Sequence, residues 1–138
     1  MKTEQEIFEE LKPLLQEALG VRPEQIQWDS VLMRDLGAES IDLLDLSFQI
    51  EDKFKVSMEA NEIERRAKAR LPDGGYEKDG LLTGEALAEI RASVPGLDES
   101  KLVVGLRRAD LPSLLTVKFF VKLIASKLAA MEQEVPHA

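Results

Sequence analysis

A chain of 138 residues, 44% hydrophobic and 32% charged, has the make-up of a soluble globular protein with one core. Cysteine is absent, which excludes disulfides, thiolate metal sites and cysteine nucleophiles, and a lone histidine, His137, leaves no material for a histidine-based triad or multi-histidine metal centre. The net charge of −8 sits entirely in residues 1–60, with 14 acidic and 6 basic side chains, whereas residues 61–138 hold 12 of each.

Such a field repels nucleic acid and anionic lipid and attracts basic protein surfaces. No apolar run approaches the eighteen or so residues of a membrane span. The opening Met-Lys-Thr-Glu-Gln-Glu lacks the apolar core of a signal peptide, so a cytoplasmic location is expected.

Thr3 with Glu6 forms a capping-box pattern, and Ile7, Leu11, Leu14, Leu15 and Ala18 continue it at helical spacing until Gly20. Pro13 predicts a kink, because it lacks the N–H that would bond Glu9. Residues 20–39 read as a long ordered loop pinned by Ile26, Trp28, Val31, Leu32 and Leu36.

A second helix is predicted from Ser40 to Lys55. Leu43, Leu46, Ile50 and Phe54 form one apolar line and Ile41, Leu44 and Phe48 a neighbouring one, giving a wide apolar face. Asp42, Asp45, Glu51 and Asp52 take the remaining surface. A shorter helix follows from about Met58 to Arg70, with Ile63, Ala67 and Leu71 spaced by four.

Six of the eight glycines and three of the six prolines fall within residues 72–112, a turn-rich insertion. It contains one helix, capped by Thr83, carrying Leu87, Ile90 and Val94, and closed by Pro95-Gly96; Lys101–Leu106 reads as a short strand. The last helix begins near Thr116, with Val117, Phe120, Val121, Ile124 and Leu128 inward and Lys118 and Lys122 outward. The predicted fold is all-α: one domain, 1–138, built as a four-helix bundle with the insertion as a satellite between its third and last helices.

The informative stretch runs from Asp35 to Leu46. A serine, Ser40, opens an acidic amphipathic helix after a glycine turn, where an attached anion would meet free N–H groups and the helix dipole. Serine is also a common N-cap, so the position alone leaves both roles open.

Here Asp35-Leu36-Gly37 and Glu39-Ser40-Ile41 resemble the acyl carrier protein family, whose members carry 4′-phosphopantetheine on the serine of an Asp-Ser-Leu motif at the start of the second helix. The resemblance covers residues 3–71 and 113–131, and extends to the acidic helix ending in Phe54-Lys55-Val56. It implies an acyl-carrier-like bundle, and a non-catalytic protein modified at Ser40 by a phosphopantetheinyl transferase that draws on coenzyme A and holds its own magnesium. Acyl groups would ride as thioesters to partner enzymes of fatty acid, lipid or polyketide synthesis, the chain tucking along Leu43, Leu46, Ile50 and Ile63. Glu39, Asp42, Asp45, Glu51 and Asp52 would dock onto basic patches of those partners, with the carrier a monomer. The alternative is a carrier-like interaction adaptor without the prosthetic group. Two departures stand out: Glu39 replaces the usual Asp, and residues 72–112 lengthen a connection that is ordinarily short.

Other patterns are set aside. Asp110-Leu111-Pro112-Ser113 imitates the motif, but lysines follow it rather than carboxylates. Asp42 and Asp45, at i and i+3, read as a solvated face rather than a metal or acid–base pair. Arg65-Arg66-Lys68-Arg70 is too short to argue for nucleic acid, and His137 reads as a tail residue.

Overall fold

In the computed structural model, residues 2–59 and 61–134 are described; His137 lies outside them. Six helices follow in chain order: α1 Glu4–Leu19, α2 Leu32–Leu36, α3 Ser40–Phe54, α4 Glu62–Lys68, α5 Gly84–Ser93 and α6 Val117–Glu134. Between α4 and α5 lies a small antiparallel hairpin, β1 Glu77–Lys78 with β2 Leu81–Leu82. No helix among the described residues is long and apolar enough to cross a membrane.

α1 starts as its sequence dictates. The Thr3 hydroxyl accepts from the Glu6 N–H at 3.1 Å, and the Glu6 carboxylate accepts from the Thr3 N–H at 3.0 Å. Gly20 ends it in the left-handed region at φ 67°. The helix continues through Pro13; Pro13 and Glu9 are both exposed, so water can take the carbonyl that proline leaves unbonded. Ile7, Leu11 and Leu15 are fully buried against α3 and α6.

The 20–39 segment is ordered, and it contains α2 and a 3₁₀ turn at Pro23–Gln25. Its role is to close the start of α6. The first N–H groups of a helix have no partner within it. Here the Val117 N–H donates to the Ser30 carbonyl at 2.9 Å and the Lys118 N–H to the Trp28 carbonyl at 3.0 Å. Trp28 in turn sits edge-on to Phe8 of α1, with ring centroids 5.6 Å apart.

α3 buries one of its two apolar lines. Leu46, Ile50 and Phe54 enter the core and Leu43 is half-buried, but Ile41, Leu44 and Phe48 are 71%, 51% and 60% exposed. The wide face is therefore two faces: α1 covers one, and no described element covers the other.

The insertion joins the same contiguous apolar cluster as the bundle. Leu87 and Ile90 of α5 and Val94 just past its end are buried, together with Tyr76, Leu82, Leu97, Leu102 and Leu111, and α5 lies against α4. Ion pairs add further ties, Arg34 to Asp98 at 3.3 Å and Arg108 to Glu64 at 2.7 Å. The strand predicted at Lys101–Leu106 does not form. Glu99–Lys101 is a 3₁₀ turn, the Leu106 N–H folds back to the Val103 carbonyl, and Gly105 takes φ 100°. Only just beyond does Arg107 bridge to Leu81.

Candidate functional site

The turn that presents Ser40 is built by Asp35, Leu36 and Gly37. Asp35 accepts from the Val31 N–H at 2.7 Å and from Arg34 at 3.0 Å, and these bonds, Arg34 first, hold its carboxyl below the usual range. Leu36 is buried as an anchor, and Gly37 reverses the chain at φ 71°, a conformation costly for a residue with a Cβ. The Ala38 N–H then bonds back to the Leu32 carbonyl at 3.0 Å.

Glu39, not Ser40, occupies the cap position of α3. Its N–H donates to the Asp42 carboxylate at 2.8 Å, and its carbonyl accepts from the Asp42 and Leu43 N–H groups. Ser40 is the first helical residue. It is exposed, and its hydroxyl makes no hydrogen bond among the described residues. The capping role that sequence left open for Ser40 is therefore filled by its neighbour.

The five acidic residues read as a docking face are not one cluster. Glu39 and Asp42 flank Ser40, and Asp45 follows about one and a half turns along. Glu51 and Asp52 lie toward the far end, about 17–18 Å down the helix at 1.5 Å per residue. Asp45 accepts from Gln49 at 2.9 Å, Glu51 from the Met58 N–H at 3.3 Å, and Asp52 stands 3.8 Å from Lys55. Glu51 thus also fixes the chain leaving α3. The exposed line of Ile41, Leu44 and Phe48 runs beside these charges, and periodicity alone did not separate it from the core line.

A cavity of about 350 Å³ opens beside Ser40 between α3, α4, the insertion and α6. Leu43, Leu44 and Ile63 line it as apolar walls, with Phe119, Phe120 and Leu123 from α6. Leu46 and Ile50, predicted to line an acyl groove, are fully buried in the core and do not reach it. Tyr76, Arg108, Leu111 and Pro112 of the insertion add to the wall, which sequence spacing gave no means of foreseeing, and Ser47, Asn61, Glu62 and Glu64 give it polar stretches.

An exposed, unbonded hydroxyl at the first turn of a fifteen-residue helix, next to a mostly apolar cavity within the usual size range of ligand pockets, fits a phosphopantetheine arm. When bound, that arm supplies a terminal thiol able to hold acyl groups as thioesters. The chain's own residues would position the phosphodiester at the N–H groups of α3 and shelter an acyl chain.

The other patterns resolve into ordinary contacts. Ser113 donates its hydroxyl to the Asp110 carbonyl at 2.6 Å within a 3₁₀ segment. The basic run is met by carboxylates: Arg65 by Glu59, Arg66 by Glu62 at 3.3 Å, Lys68 by Glu64 at 3.1 Å and Arg70 by Glu89 at 3.6 Å.

Comparison with known proteins agrees with this geometry. The model of a family described as a phosphopantetheine attachment site matches residues 9–67. An acyl carrier protein of Campylobacter hominis is 37% identical over 60 residues, covering 44% of this chain and 76% of the relative. Acyl carrier proteins of Thermotoga maritima and Guillardia theta are 37% and 40% identical over 65 and 55 residues. These cover 47% and 40% of this chain and 80% and 68% of theirs. The chain belongs to the acyl carrier protein family, whose members are carriers rather than catalysts, and its cofactor is covalently attached 4′-phosphopantetheine.

Proposed function

We propose that Ser40 is the attachment residue, and that the chain holds acyl groups on the arm for enzymes of fatty acid, lipid or polyketide synthesis. The observation that supports this best is the Ser40 hydroxyl, exposed and free of hydrogen bonds among the described residues while Glu39 occupies the cap. A phosphopantetheinyl transferase loads it. The Ser40 oxygen bonds to the phosphorus beside the pantetheine of coenzyme A, the bond to the adenosine bisphosphate breaks, and the hydroxyl proton passes to a base of the transferase. Asp45 and Asp52, exposed on α3, steer basic partner surfaces, and Ile41 and Phe48 provide apolar contact.

The test is intact mass after incubation with coenzyme A and a broad-specificity transferase. One phosphopantetheine is gained by the wild type and by Ser113→Ala, and none by Ser40→Ala. A wild-type chain that stays unmodified where an ordinary carrier loads fully would favour the adaptor reading.

A further inference from the structure

Two buried polar atoms on the cavity beside Ser40 have no hydrogen-bond partner among the described residues, the Tyr76 hydroxyl and Oε1 of Glu64. Tyr76 is 3% exposed, and its hydroxyl is buried with no hydrogen-bond partner among the described residues. The charged groups near it are ion-paired with one another. Arg108 lies 2.7 Å from Glu64 and 3.0 Å from Glu77, and Lys68 lies 3.1 Å from the same Glu64 oxygen. The Lys68 ammonium also stands 5.3 Å from the centre of the Tyr76 ring. Burial, with the Glu64 charge adding to it, pushes the phenol up to about 12, so at neutral pH it is an O–H donor.

A buried donor without an acceptor is disfavoured, and phenylalanine would fill the same space without that cost. Glu64 Oε1 is held between Arg108 and Lys68 and takes no hydrogen bond from the phenol, so an acceptor that enters the cavity meets a free donor. Ser40 lies on the rim of the same cavity, and the group that enters from there is the carried acyl chain.

We propose that Tyr76 is a specificity-determining residue for the carried group: the cavity selects acyl chains bearing a hydroxyl or oxo oxygen, which accepts a hydrogen bond from the Tyr76 phenol. The proposal rests on attachment at Ser40. It assigns to the insertion, which brings Tyr76 to the cavity, the choice of cargo.

Tyr76 is the sole tyrosine of the chain, so ¹³C-tyrosine labelling gives a single reporter. The transferase loads wild type and Tyr76→Phe with the arm alone, or with decanoyl, 3-hydroxydecanoyl, 3-oxodecanoyl and 10-hydroxydecanoyl arms from the matching coenzyme A thioesters. In the wild type, at least one oxygenated form melts about 3–5 °C above the decanoyl form and shifts the tyrosine resonance further than decanoyl does. In Tyr76→Phe the melting difference disappears, and the decanoyl form is as stable as in the wild type or more so. Equal melting of all acyl forms, or a difference that survives Tyr76→Phe, overturns the proposal. So does a tyrosine shift completed by the unacylated arm, which would make the arm the ligand. Absence of any mass gain would overturn the Ser40 reading as well, and mass spectrometry separates that failure from the others.

Discussion

The hydroxyl of Thr116 donates to the carbonyl of Gly96 and accepts from the Phe119 N–H at 3.0 Å, so one side chain caps α6 and fastens the insertion to it. Gly96 takes φ 95°, and a Cβ there would come within 2.7 Å of the Phe119 backbone. Both the angle and the space require glycine. Gly96→Ala should therefore lower stability by about 1–3 kcal/mol. Thr116→Val, which keeps the shape and loses the cap, should cost about 1–2 kcal/mol. Urea unfolding with unchanged m-values checks both.

Acid should loosen the junction between α4, α6 and the insertion. Burial works to raise the Glu62 and Glu64 carboxyls, but Lys127 and Arg66 around the first, and Arg108 and Lys68 around the second, outweigh it and hold both below the ordinary range. A carboxyl held lower when folded stabilises above its unfolded pKa of about 4.3, and that stability is lost as pH falls through the folded value. Melting temperature should be flat near neutrality and fall below about pH 4. Glu62→Gln should cost about 1.5–3 kcal/mol at pH 7, and its deficit should shrink in acid. A constant deficit at pH 7 and pH 3 would count against the pairing with Lys127 at 2.6 Å.

Docking divides into a charged and an apolar component. Asp45→Lys with Asp52→Lys should slow loading several-fold and flatten its dependence on salt, with stability changed by no more than about 0.5 kcal/mol. Phe48→Ser, at a 60% exposed position, should slow loading while leaving the salt dependence intact. Stopped-flow loading across a salt series separates the two.

Replacing residues 73–110 by a short Gly/Ser linker should leave α1, α3 and α6 packed and Ser40 still modified, since the hydrogen bonds that shape the turn at Gly37 stay within residues 31–43. However, α2 loses the Asp98 ion pair and part of the 3₁₀ segment it packs against. The variant should melt lower, because Ala67 of α4 and the cavity wall lose their cover. Circular dichroism and intact mass together decide it; loss of cooperative unfolding would make the insertion integral to the core.

The long helices were legible in the sequence because their starts and stops are local chemistry: Thr3, Gly20 and Thr83 act within a turn of themselves, whereas the five-residue α2, ended by Gly37, lay within the stretch read as a loop. The Ser40 turn was legible for the same reason. The hairpin carried a usable signal in Asp79-Gly80, both at positive φ, the pair favoured for a two-residue turn. Lys101–Leu106 misled because Val103 and Val104 suggest a strand, yet they are 55% and 88% exposed in a turn set by Gly105. Which apolar line of α3 faces inward is decided by where α1 lies, and Tyr76 is buried only by parts distant in sequence. Periodicity does not encode those placements.

The pairing of α1 with α6 has a consequence for synthesis at the ribosome. Glu4 meets Lys122 at 3.3 Å across 118 residues of chain, and Val117, Val121 and Ile124 are the fully buried residues of α6. Until those residues emerge, the apolar stripe of the first helix lacks one of its two covering neighbours. Native structure is thus expected to form late and nearly all at once, after the final helix has cleared the exit tunnel. A nascent chain halted at residue 115 would display Ser40 without the core that α6 completes, so loading by a transferase should wait until α6 has emerged.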